Sequence, residues 1–120
     1  MNERIIEQNG NRIAIIQSNE VVISDVQTAL DLMATIDYVH NCQRIIINKQ
    51  AICEDFFKLS TGVAGEILQK FINYGKKLAI VGDFSNYTSK PLHEFIYECN
   101  NGKDIFFVNN EQDAIERCSK

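Results

Sequence analysis

Four short runs rich in branched apolar residues, each followed by a stretch with helical periodicity, set the tightest limit on what this chain can fold into. They are RIAIIQ at 12–17, RIIIN at 44–48, KLAIVGDF at 77–84 and DIFFVN at 104–109. A β-branched run without polar alternation describes a strand covered on both faces. Strands that alternate with helices are joined by crossovers, which make neighbouring strands parallel. The expected fold class is α/β with a mostly parallel sheet and right-handed connections. Only the start departs from this rule. RIIEQ at 4–8 and RIAIIQ at 12–17 flank Asn9-Gly10-Asn11, and Asn-Gly supplies the positive backbone angles of a tight hairpin turn.

The intervening segments read as helices. Val26, Ala29, Leu30, Met33 and Ile36 form one apolar stripe, and Ser24-Asp25-Val26-Gln27 has the spacing of a capping box at its start. A short VVI strand at 21–23 is expected before it. The second helix is expected from about Thr61 to Tyr74, with Ala64, Ile67, Leu68, Phe71 and Ile72 inward and Gly75 as its stop. Ser89 caps a third helix with Pro91 in its first turn and Leu92, Phe95, Ile96 and Cys99 inward. Asn110 opens a fourth, carrying Ala114, Ile115 and Cys118. The element order is ββ(β)αβαβαβα.

At 120 residues, with no linker, repeat or charged tail, the chain is one domain spanning 1–120. Its net charge of -4, with 12 basic against 16 acidic residues and no basic run, argues against a nucleic-acid partner. No apolar run has the length of a membrane span and MNERIIEQNG lacks the apolar stretch of a leader, so the expected location is cytoplasmic. Cys42, Cys53, Cys99 and Cys118 are widely spaced, with no CxxC pair, and read as reduced packing residues. Glu54 and Asp55 beside Cys53 disfavour a thiolate there. No metal or cofactor motif is present, and neither GxxxxGK[ST] nor GxGxxG follows any strand.

Parallel sheets bind ligands beyond the carboxyl ends of their strands. That places Asp25, Asn48, Lys49, Asp83 and Asn109 at the functional edge, together with the start of the second helix, FFKLSTGVAG at 56–65. Ser60, Thr61 and Gly62 stand at that start. Either hydroxyl is a candidate phosphoacceptor, and the exposed amides and partial positive charge of a helix N-terminus favour an anion. The bland alternative makes Ser24, Ser60, Ser89 and Asn110 ordinary N-caps. Phe56 and Phe57, next to Asp55, either anchor their loop or present an apolar patch to a partner. A serine nucleophile at 60 lacks an evident base, since His40 and His93 fall elsewhere in this topology. Asp25 with Asp83 is the only carboxylate pair that the edge suggests.

The element order and FFKLSTGVAGEILQKFINYGKKLAIVG resemble the STAS domain, the sulfate-transporter and anti-sigma-factor-antagonist fold, over residues 4–118. The resemblance implies a βα superhelix. In that family an Asp-Ser-Ser-Gly motif opens the second long helix and its first serine is phosphorylated to break a protein complex. Ser60-Thr61-Gly62 aligns with Ser-Ser-Gly, making Ser60 the counterpart of the phosphoacceptor, while Leu59 replaces the aspartate. Three phrases, VVISDVQTALDLMAT, CEDFFKLSTGVAGEILQKFINY and LAIVGDFSNYTSKPLHEFIYECNNG, resemble an uncharacterised bacterial family, domain of unknown function 4180. That family brings no established activity.

The expected function is a non-enzymatic regulatory or protein-interaction module, switched at the start of the second helix. Its surface would combine Ser60, Thr61 and Gly62 with Asp25, Asn48, Lys49, Asp55, Phe56, Phe57 and Asp83. The alternative is a small-ligand binder or weak enzyme using Asp25, Asn48, Lys49 and Asp83. Homodimerisation is a third use, because apolar strands ask for cover on a face that one-sided helices leave bare.

Overall fold

A computed structural model describes residues 1–120. A five-stranded sheet runs in sequential order β1 to β5, formed by Asn2–Gln8, Asn11–Gln17, Arg44–Asn48, Lys77–Val81 and Ile105–Val108. β1 and β2 form an antiparallel hairpin, and β2-β3, β3-β4 and β4-β5 are parallel. Asn9 and Gly10 turn the hairpin at φ 54° and 78°, the left-handed angles that the Asn-Gly pair tolerates. The expected strand at 21–23 is instead a single bridge, Ile23 to Ile52. Val22 and Ile23 both donate to the Ala51 carbonyl there, and the Cys53 amide donates to the Ile23 carbonyl.

The crossover helices α1 (Val26–His40), α2 (Val63–Asn73) and α3 (Lys90–Asn100) pack on one face of the sheet. Alternation within the strands divides the core. Ala14, Ile16, Ile45, Ile47, Leu78, Ile80, Ile105 and Phe107 point toward these helices, in a cluster of 24 buried residues that also holds Ile36, Ile67 and Phe71. Ile13, Ile15, Ile46, Ala79, Phe106 and Val108 point the other way. There α4 (Glu111–Cys118) closes the face with Ala114 and Cys118, in a cluster of eight. The premise for homodimerisation is thereby removed: the second apolar face is covered within one chain.

Local signals account for the helix ends. α1 starts one residue later than the capping-box reading of Ser24 with Gln27. Asp25 accepts from the Thr28 amide at 2.8 Å, and the Thr28 hydroxyl accepts from the Asp25 amide at 3.0 Å. α2 ends in a Schellman turn at Gly75, φ 68°, where the Gly75 amide donates to Ile72 and the Lys76 amide to Phe71. Ser89 and Asn110 cap α3 and α4 as expected. No helix is long and apolar enough to cross a membrane.

Candidate functional site

The carboxyl ends of β3, β4 and β5 meet the long 48–62 loop and the segment leading into α3. Three single-turn 3-10 helices, Lys49–Ala51, Glu54–Phe57 and Leu59–Thr61, carry the loop. Phe56 and Phe57 hold it down. They are 1% and 2% exposed, their rings meet edge-on at 5.0 Å, and they reach Phe107 at 6.5 Å and Phe84 at 6.0 Å. Both phenylalanines therefore anchor the loop and are withdrawn from the expected partner surface.

The Ser60 turn is built differently from its sequence reading. α2 begins at Val63, not Thr61, because Gly62 adopts a left-handed φ of 77° that interrupts the helical path. Ser60 is not an N-cap. The Thr61 hydroxyl does the local bonding: it donates toward the Asp55 and Lys58 carbonyls, each at 2.8 Å, and accepts from the Val63 amide at 3.3 Å. Ser60, Thr61 and Gly62 are all exposed, and the Ser60 hydroxyl makes no hydrogen bond. Asp55, also exposed, pairs with Lys58 at 3.9 Å. The two adjacent hydroxyls thus differ in kind, one structural and one free.

Beside this turn Lys49 occupies the centre of a second group. Its ammonium lies 4.9 Å from the ring centre of Tyr87 and 5.5 Å from that of Phe57, and those two rings stack at 5.5 Å. The Tyr87 hydroxyl donates to Glu54 at 2.8 Å. Burial raises the Tyr87 phenol above its ordinary 10.0, so it stays a neutral donor. Gly82 makes this packing feasible. A Cβ at 82 would lie 2.6 Å from the Lys49 Cβ, so only glycine lets the end of β4 pass so close.

Asp83 follows. It accepts from the Ser85 hydroxyl at 2.6 Å and the Ser85 amide at 2.9 Å, and those bonds hold its carboxyl below the usual 3.8. Asp25 is lowered as well, through its bonds to the Thr28 amide and hydroxyl. Both carboxylates are consumed in turn and cap geometry and stay ionised, which withdraws them as a general acid and base pair. Asn48 is 6% exposed: its Oδ1 accepts from the Ser18 amide at 2.9 Å and its Nδ2 donates to the Ser18 carbonyl at 2.6 Å. It prolongs the β2-β3 pairing and offers nothing to a ligand. Of the expected edge residues, the structure brings Lys49 and Asp83 together, with Asp83 feeling the charge of Lys49.

An open cleft of about 560 Å³ lies between the ends of β4 and β5 and α3, lined by Asp83, Ser85, His93, Asn100 and Asn109 over Phe107. Ser85, Tyr87 and Asn100 are not among the residues expected at this edge. The SNYTS segment at 85–89, polar around one tyrosine, was the signal available. The cysteines are all free. Burial pushes the Cys118 thiol up to about 12 and Cys99 up to about 11, which keeps both protonated and unreactive at neutral pH.

A family model described as "Domain of unknown function (DUF4180)" matches residues 8–118. No curated protein and no solved structure matches the chain. The match spans nearly the whole domain, so the chain belongs to the DUF4180 family.

Proposed function

We propose that this protein is a non-enzymatic regulatory module that binds a protein partner through the Ser60 turn, with phosphorylation of Ser60 as the switch. In this reading the sequential sheet with α1, α2 and α3 on one face is a STAS-like βα superhelix. Ser60 holds the place of the phosphorylated serine, and the absent aspartate, Leu59 here, changes how the serine is presented. The observation that carries the reading is the division of labour at the turn. Thr61 is tied to Asp55 and Lys58, whereas the exposed Ser60 hydroxyl has no partner and sits on a loop fixed from beneath by Phe56 and Phe57.

A phosphoryl group at Ser60 would add a charge of about -1.5 to -2 near a helix start, where first-turn amides have no intrahelical acceptor. Lys58 and Asp55 beside the turn form an exposed ion pair that balances in charge, so such an addition makes the local surface negative. The test is affinity capture from native cells with the wild type, Ser60→Asp and Ser60→Ala. The expected result is a protein retained by wild type and Ser60→Ala and released by Ser60→Asp, or the reverse order. Equal recovery by all three removes the switch.

A second reading rests on the cleft. Ser85, His93 and Asn109 line the ends of β4 and β5 around a volume suited to a small polar ligand. Saturable shifts of these residues in the presence of a metabolite mixture, unchanged by Ser60→Asp, would favour ligand binding over partner switching.

A further inference from the structure

The opposite edge of the sheet, where the strands begin and α2, α3 and α4 end, gathers cations in a chain of net negative charge. Of the 12 Lys and Arg side chains, Arg4, Lys58, Lys76 and Lys90 form ion pairs. Among the eight others, Arg44, Lys77, Lys103, Arg117 and Lys120 share this one edge. Arg44 and Lys77 are partners in the β3-β4 register. Lys77, Lys103, Arg117 and Lys120 line a depression of about 360 Å³ with Gly102 and Phe106, and no Asp or Glu side chain lines it. Asp113 and Glu116 line the adjoining hollow that shares Arg117 and Lys120, and neither forms an ion pair with them.

Helix C-termini carry partial negative charge and account for some of these cations. Lys77 donates its ammonium to the Lys103 carbonyl, and Arg117 donates to the Asn100 carbonyl at 2.8 Å. They do not account for Lys103 and Lys120, whose ammonium groups have no acceptor in the protein, nor for the Arg44 Nε, which is buried without a partner. Arg117 is also preset. Its guanidinium carbon lies 5.2 Å from the ring centre of Phe106 with one nitrogen engaged, which restrains the fork and leaves donors for a second acceptor.

We propose that this depression binds the phosphate group of a small phosphorylated molecule. Two or three strong cationic donors around one fixed guanidinium match the charge and the several oxygens of a phosphate monoester. The depression, about 360 Å³, leaves room for the group that bears it. The site is independent of the Ser60 turn. Ser60 precedes α2 at the carboxyl edge, while the end of α2 leads into Lys77 at the amino edge.

The test follows backbone amide spectra of the full chain while inorganic phosphate or glycerol 3-phosphate is added at constant ionic strength, with chloride as control. Saturable shifts are expected at Lys77, Gly102, Lys103 and Arg117, with glycerol 3-phosphate binding at least as tightly as phosphate. Lys103→Gln and Arg117→Lys should each weaken binding by about tenfold, the first by losing a charge and the second by losing the fork. Lys103 is exposed, so its variant reports on binding without threatening the fold. Shifts that rise linearly and equally with chloride, or binding that Lys103→Gln leaves unchanged, would overturn the proposal. Sedimentation with phosphatidylglycerol vesicles in the absence of any small-phosphate response would overturn it too, pointing to a lipid surface.

Discussion

The side-chain amide of Asn100 pairs with both backbone groups of Phe107: its Oδ1 accepts from the Phe107 amide at 2.8 Å and its Nδ2 donates to the Phe107 carbonyl at 3.1 Å. β5 is an outer strand, so one side chain of α3 takes the place that another strand would occupy and blunts the edge. Asn100→Ala leaves two polar groups of a residue only 4% exposed without partners. The expected cost is about 1–3 kcal/mol. Thermal unfolding should show a lower midpoint, and hydrogen exchange should quicken at Phe107. An unchanged midpoint would show that water replaces the amide without loss.

Gly82 and Lys49 make a second close relationship. Because a Cβ at 82 would meet the Lys49 Cβ and Cδ at 2.6 and 3.0 Å, Gly82→Ala should cost about 1–3 kcal/mol by forcing β4 and the 48–62 loop apart. In a Lys49→Gly background the collision has no partner, and the added cost of Gly82→Ala should vanish. Urea denaturation of the four variants measures this coupling directly, and simple additivity would refute it.

The two hydroxyls of the proposed switch should separate in stability. Thr61→Val removes the bonds to Asp55, Lys58 and Val63 and should cost about 1–2 kcal/mol. Ser60→Ala removes no bond and should stay within about 0.5 kcal/mol of the wild type. Equal losses at both positions would mean that Ser60 is part of the turn's scaffold.

Acid should weaken the fold through Asp37. The Lys76 ammonium, 6% exposed, donates to Asp37 at 3.2 Å and the Gln43 amide donates to the same carboxylate at 2.8 Å, which holds its pKa below the ordinary 3.8. A carboxyl depressed in the folded state contributes stability that is fully present above the unfolded value. It is lost as pH falls through the folded one. Denaturation midpoints measured from pH 6 downward should therefore hold level above about pH 4 as far as this group is concerned, then fall. Lys76→Met should flatten that fall, leaving the part due to Asp25 and Asp83, which are lowered in the same sense.

Much of the architecture was legible because the strands are written in unbroken apolar runs. RIIIN at 44–48 has the bounds of β3, and Asn9-Gly10 marked the hairpin. Helix starts were less legible where two polar residues compete. Ser24 with Gln27 and Asp25 with Thr28 both satisfy the capping rule, and the geometry of the 24–28 segment selects the second pair. At α2 the left-handed Gly62 delayed the helix by two residues, a backbone choice that a glycine permits without announcing. Side-chain fates at the edge were hidden for another reason. Asn48 reads as a polar strand end, and only the position of Ser18 across the sheet turns it into a pairing group. Phe56 and Phe57 were ambiguous until Phe84 and Phe107, distant in sequence, gave them a buried cluster to join.

The switch assigned to Ser60 is tested most directly by fragment mass spectrometry of the protein purified intact from its native cells, with phosphatases inhibited. The account predicts a phosphoryl group on Ser60 in a fraction of the molecules, and none on Thr61, whose hydroxyl is held by Asp55 and Lys58. Protein that carries no phosphate at Ser60 under any growth condition, or carries it on Thr61 instead, would contradict it.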